Sequence, residues 1–242
     1  MKNCLLIVFS TVMFLGITWQ VPAVVEALDD EKVEYMDVMK DRKGHVDLYN
    51  HEAYIKMQAR ELGIDTEGKN LEELAKEVRE AKIKQAAEEL GIKTKGKDLK
   101  ELANEVHHAK VVKKAKEMGI KTKGKEPEEL AKEVYETKIK QRAERLGIET
   151  EGKDFETIKQ EVMETYLKKG AKQLGIDTEG KEISDIVQAI HEKKIAQTAE
   201  ELGIDSTDKD TEQLLNEILT DHAEKAKELK LYPFNNEADY DH

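Results

Sequence analysis

The sequence predicts an all-α protein: an elongated tandem array of six 28-residue helix–loop repeats that share their helices. Three observations predict it. Gly63, Gly91, Gly119, Gly147, Gly175 and Gly203 recur every 28 residues, each followed by isoleucine, and self-similarity at that period is the signature of a stacked repeat architecture. Five residues after each isoleucine stands a lysine, namely Lys69, Lys97, Lys125, Lys153, Lys181 and Lys209. The composition agrees, because 38% charged and 38% apolar residues with three prolines suit surface-rich helices better than one large core.

In chain order, residues 1–27 read as an export signal. Lys2 is the positive start, residues 4–19 (CLLIVFSTVMFLGITW) the apolar stretch and Val25-Glu26-Ala27 the small-residue cleavage site. This apolar stretch is short for a spanning helix, which needs about 20 residues, so the expectation is a mature chain beginning at Leu28. The alternative is an uncleaved membrane anchor. Cleavage removes Cys4, the only cysteine, so disulfides contribute nothing to the mature fold. Residues 28–47 form an N-terminal lead-in segment.

The repeat array spans 48–230. Leu62 ends a helix, Gly63 supplies a left-handed residue beyond it, and Ile64 is expected to fold back on Ala59 in a Schellman-type stop. A second glycine precedes the loop lysine in five copies, and Asp208 replaces it in the sixth. Asp tolerates positive φ better than most residues, so the exception fits a left-handed position. Asn70, Asp98, Asp154 and Asp210 are N-cap residues, with Glu73 and Glu101 placed for capping boxes. Pro127 follows Glu126 at a first helical position, where a missing N–H costs nothing. Helices are therefore expected over 71–90, 99–118 and 127–146.

Within 71–90, Leu71, Leu74 and Val78 share one face, and Ile83, Ala87 and Leu90 share another, rotated by roughly 120°. One helix thus serves two partners. Its first half packs on the preceding helix and its second half on the following one, so stability is local along the array.

The stretch IKQAAEELGIKTKGKDLKELANEV, residues 83–106, resembles the helix–extended loop–helix pattern of the SAP domain and of the Rho-termination-factor N-terminal domain. The 28-residue units also resemble those of exported Gram-positive bacterial repeat proteins of undefined role. In SAP-like modules the loop and the next helix start approach nucleic-acid phosphates. The resemblance implies such a role for Thr94, Lys95, Gly96 and Lys97, and for Thr122, Lys123, Gly124 and Lys125, with Lys93 and Lys121 completing the two basic loops. The other loops depart from it, reading DTEGK, ETEGK, DTEGK and DSTDK. They place acids where phosphate contacts belong.

The bland account of the loop lysines is pairing with nearby glutamates such as Glu72 and Glu73. A calcium reading of the acidic loops fails on Lys69, which stands where an oxygen ligand is needed. His51, His107 and His191 share a repeat phase with Arg79, Tyr135 and Met163, which reads as a variable helix surface and not as a zinc site. The mature chain has two serines, Ser184 and Ser206, and none of the common nucleophile, zinc-hydrolase or P-loop motifs. Neither a catalytic constellation nor a cofactor is expected. A formal net charge of −12 opposes nucleic acid and anionic membrane surfaces at long range.

Residues 231–242, LYPFNNEADYDH, read as a flexible tail, in which Tyr232, Phe234 and Tyr240 are the candidate anchors for a partner. These features together suggest a secreted or envelope-associated, non-catalytic spacer or interaction scaffold, with a protein or envelope polymer as partner and no membrane insertion after signal cleavage. The alternatives are a SAP-like nucleic-acid binder using the basic loops, and a secreted inhibitor or enzyme partner.

Overall fold

In the computed structural model of the chain, residues 51–235 are described. The expected signal segment, the lead-in 28–47 and Tyr240 lie outside them. The described chain is all-helical. A short helix α1 (Glu52–Glu61) leads into α2 (Leu71–Glu89), α3 (Leu99–Glu117), α4 (Pro127–Arg145), α5 (Phe155–Gln173) and α6 (Ile183–Leu202). Two short helices, α7 (Thr211–Asp221) and α8 (Ala223–Glu228), finish the array. No helix of the described residues is long and apolar enough to cross a membrane.

The caps form where the sequence places them. Asn70, Asp98, Asp154 and Asp210 each accept a hydrogen bond from the backbone N–H three residues on. Asn70–Glu73 closes a reciprocal capping box. Asp98 receives the Glu101 N–H at 2.8 Å without the return bond expected of a box. The second box is instead Asp210–Gln213, where a glutamine performs the same reach-back. Each stop follows one geometry: Ile64 N–H bonds the Ala59 carbonyl at 2.8 Å, and Gly63 N–H bonds that of Arg60 at 3.1 Å. This is the paired bonding of a Schellman motif, and Gly63 has the left-handed φ of +68° that it requires. Asp208 takes the place of the second loop glycine at φ 58°.

Mini-cores are shared as the helical faces dictate. Leu74 and Val78 of α2 pack on Ile55 and Ala59 of α1. Ile83, Ala86 and Ala87 of the same helix pack on Leu102 and Val106 of α3. The pattern continues between α3 and α4, α4 and α5, and α5 and α6.

The structure corrects the expectation of elongation. α1 touches α7 as well as α2, so the array returns to its beginning. Ala53, Tyr54 and Met57 of α1 share one core with Leu215, Ile218, Leu219, Ala223 and Ala226 of α7 and α8, and with Ile195 and Ala199 of α6. Lys227 pairs with Glu61 across 166 residues of chain. The physical reason lies in the half-helices. α1 and α7 have 10 and 11 residues against the 19 of α2, and Ala53, Tyr54 and Met57 of the one cover Leu215, Ile218 and Leu219 of the other.

A seventh, degenerate stop lies at the junction. Glu228-Leu229-Lys230-Leu231 repeats the Glu-Leu-Gly-Ile step with lysine at the left-handed position, φ 53°. Leu231 N–H bonds the Ala226 carbonyl at 2.8 Å and Lys230 N–H that of Lys227 at 3.1 Å, the same pair of bonds as at Gly63. Lys230 arrives 27 residues after Gly203, one short of the period. The helix breaks between α7 and α8 at His222, with φ −123°.

Candidate functional site

The two basic loops put their residues on a scaffold of backbone turns. Lys97 N–H bonds the Thr94 carbonyl at 3.4 Å, closing a β-turn whose third residue, Gly96, has φ +86°. Positive φ at that place is what a type II turn demands. Gly124 matches it at φ +83°. Lys93, Lys95, Lys121 and Lys123 are exposed, and Thr94 and Thr122 are half-buried.

Lys97 and Lys125 behave differently. Lys97 pairs with Glu105 and Lys125 with Glu133, each carboxylate eight residues further on, and both lysine side chains are only 23% exposed. Lys69–Glu77, Lys153–Glu161 and Lys209–Glu217 repeat the arrangement. The expected partners Glu72 and Glu73 are thus replaced by a glutamate two turns into the helix, because the lysine folds back along the helix flank and not over its N-terminus. Lys181 is the exception. Ala189 stands eight residues after it, and the lysine is exposed.

The acidic loops have a turn chemistry of their own. Asp65 accepts the Glu67 N–H at 3.0 Å, Asp177 that of Glu179 at 3.1 Å and Asp205 that of Thr207 at 3.0 Å. Such side-chain turns are the common use of Asp in a tight loop. The Thr207 backbone N–H, followed by its hydroxyl, holds the Asp205 carboxyl below its usual range.

The tail residues correct a second expectation. Residues 231–235 are half-buried, with Leu231, Tyr232 and Phe234 packed against the core that joins the array ends. Tyr232 Oη and His191 Nδ1 share a 2.8 Å hydrogen bond, with the rings edge-on at 5.6 Å. Lys194 lies 5.5 Å from the Tyr232 ring and Lys227 5.4 Å from that of Phe234. Tyr232 and Phe234 are therefore anchors, but within the molecule. Together with Leu231 they cover the core to which the last helix contributes Ala223 and Ala226.

The phase shared by the histidines is corrected as well. Arg79 and His107 are exposed, whereas Tyr135 and Met163 pack at the edges of cores. At the same phase Leu219 is fully buried in the core that closes the array. A helix position that is exposed or at a core edge in mid-array is fully buried where the array meets itself.

The loop motifs did not point to one further feature. Between the end of α4, the second half of α5 and the loop that follows lies an open groove of about 670 Å³. Four cations line it, Arg145, Lys168, Lys169 and Lys172, against one carboxylate, Asp177. The signal was present in the sequence as a loss of repeat pattern. Where Arg145 stands, the other copies have Glu61, Glu89, Glu117, Gln173 and Glu201.

No family model matches the chain, nor does any curated protein or solved structure. Its functional reading therefore rests on its own residues.

Proposed function

We propose that the protein is an exported, non-catalytic helical repeat scaffold that binds a protein or polymer of the cell envelope. The observation that carries this reading is the division of labour within the repeat. Its constant residues are accounted for by stops, turns, caps and mini-cores, and its variable residues lie mainly on exposed helix surface. A repeat that holds its frame and varies its face suits recognition by surface. Of the two forms of the reading, scaffold is favoured over spacer. A spacer separates the ends of its array, and here the first and last described helices meet.

The experiment is capture of envelope components on the full chain, followed by reconstitution with the purified component. A saturable complex is expected, reduced by substitutions on exposed helix faces and unaffected by substitutions in the loop turns. Turnover of a glycan or peptide substrate by the purified chain, without such a complex, overturns the proposal.

The second reading, a SAP-like nucleic-acid binder, is favoured by the exposure of Lys93, Lys95, Lys121 and Lys123. Against it stand the net charge and the ion pairs of Lys97 and Lys125. The expected DNA affinity is no tighter than a Kd of roughly 10⁻⁴ M at physiological salt, the weak end of non-specific binding. Salt-sensitive nanomolar binding that disappears when these six lysines become glutamine would put this reading first.

A further inference from the structure

The groove between α4 and α5 is the most cationic of the corresponding places along the repeats. Its walls are Arg145 and Leu146 at the end of α4, Thr165, Lys168, Lys169 and Lys172 on α5, and Ile176, Asp177 and Thr178 of the following loop. One repeat earlier, the places of Arg145, Lys168, Lys169, Lys172 and Asp177 hold Glu117, Lys140, Gln141, Glu144 and Glu149. One repeat later they hold Gln173, Ala196, Gln197, Glu200 and Asp205. Acids outnumber cations at both sets of places, whereas two repeats earlier those places hold Glu89, Val112, Lys113, Lys116 and Lys121, three cations and one acid. Only between α4 and α5 do four cations face one carboxylate.

Helix electrostatics do not account for the cations. Arg145 and Lys172 lie in the last turns of α4 and α5, where a cation favours the helix dipole. Yet α2 ends on Glu88 and Glu89 and has no basic residue in its last turn, with the same stop geometry. The fold does not require the cations. Lys168 has a carboxylate neighbour, Glu164, at 3.3 Å, whereas Lys169 and Lys172 are exposed on the same flank. Like charges gathered on one turn of helix repel one another, and an anion placed among them removes that cost.

We infer that this groove is a binding site for a polyvalent phosphate, either an oligophosphate or the oligophosphate arm of a larger ester. Its volume falls within the roughly 300–1,000 Å³ typical of small-molecule sites. Arg145 supplies a planar fork suited to two phosphate oxygens, and the lysines act as point charges. Thr165 and Thr178 bring hydroxyls to the same walls. Leu146 and Ile176, both half-buried, form an apolar floor beside them. A ligand with adjacent negative groups matches this arrangement, whereas a single carboxylate engages only part of it. The site is separate from the scaffold reading and does not depend on it.

The test is calorimetric titration of the full chain with sodium tripolyphosphate at low and physiological salt. One saturable site is expected, weakening with salt as screening grows and raising the unfolding temperature by mass action. Lys169→Gln with Lys172→Gln should weaken binding by about tenfold or more, since each charge-assisted bond is roughly twice as strong as a neutral one. Lys93→Gln with Lys95→Gln should leave it unchanged. These changes replace exposed side chains, and unaltered circular dichroism checks the fold. Adenosine triphosphate binding more tightly than tripolyphosphate would place an apolar group on the Leu146–Ile176 floor, and equal binding would identify an oligophosphate; both support the site. The inference is overturned if tripolyphosphate gives no saturable heat, if the Lys169/Lys172 variant keeps the parent affinity, if the loop control loses as much, or if oligoglutamate competes on equal terms.

Discussion

Lys230→Gly should stabilise the protein, although it removes a side chain and adds none. Lys230 is exposed and holds φ 53° at the last helix stop, where the same bonding pattern elsewhere uses glycine. Left-handed backbone costs an L-residue about 1–2 kcal/mol, which glycine avoids. Glycine in turn has more freedom to lose from the unfolded chain, about 0.4–1 kcal/mol. The net gain is about 0.5–1 kcal/mol, or roughly 1–4 °C in Tm for a domain of this size. Gly119→Val runs the argument backwards. A Cβ at Gly119 meets nothing within 4 Å, so its cost is backbone strain alone at φ +73°. For a β-branched residue that strain exceeds about 1 kcal/mol net. Urea unfolding of both variants, followed by circular dichroism, measures the two changes against the parent. A destabilised Lys230→Gly variant would show that the Lys230 side chain contributes more than its backbone strain costs. A neutral Gly119→Val would refute the strain argument itself.

Other expectations follow from the same geometry. Lys125→Ala leaves Glu133 without its partner and should cost roughly 0.5–1 kcal/mol, near the upper range for surface pairs, whereas Lys181→Ala should cost almost nothing. Conversely, Ala189→Glu offers Lys181 the carboxylate that five sister loops possess, and a gain of up to about 0.5 kcal/mol in thermal unfolding is expected. Leu219→Ala opens a cavity in the core that joins the two ends and should cost about 2–5 kcal/mol; unchanged hydrogen exchange in α1 would argue that the ends do not support each other. Burial lowers the Lys82 ammonium pKa from 10.5 to about 8. The unfolded chain then binds the extra proton between these values, so stability should rise as pH increases from 8 to 10.5. Lys82→Met should lose that slope; an identical pH profile would refute the assignment. For the export signal, mass spectrometry of exported chain should find Leu28 at the N-terminus, and recovery of Trp19 in the mature species would favour an anchored form.

What the sequence determined by itself was everything that depends on neighbours within one repeat. Gly63 and Ile64, Asn70 and Glu73, and the two faces of 71–90 act over fewer than about ten residues. Their consequences therefore repeat wherever the pattern repeats. Even the Asp208 exception could be read as a left-handed position, because its cause is local sterics. The lysine–glutamate pairs were legible only in part. The lysine's need for a carboxylate was visible, but Glu77 and its counterparts were chosen by how the loop lies along the helix flank.

The tertiary structure alone decided what happens between distant parts of the chain. Nothing in the 28-residue period states how far each helix turns from the last, and a small rotation per repeat, summed over the array, separates a rod from a closed circuit. That sum brings Tyr54 and Met57 onto Leu215 and Leu219, and sets Lys227 against Glu61. It also makes Leu219 a core residue at a phase where Arg79 and His107 face water. Tyr232 and Phe234 were recognisable as anchors in a polar tail, but their partners, His191, Lys194 and Lys227, became visible only when α6 and α8 were side by side. The groove at Arg145 shows the same division. Its cations are written in the sequence as departures from the repeat, while their meeting across α4, α5 and the next loop is a product of packing.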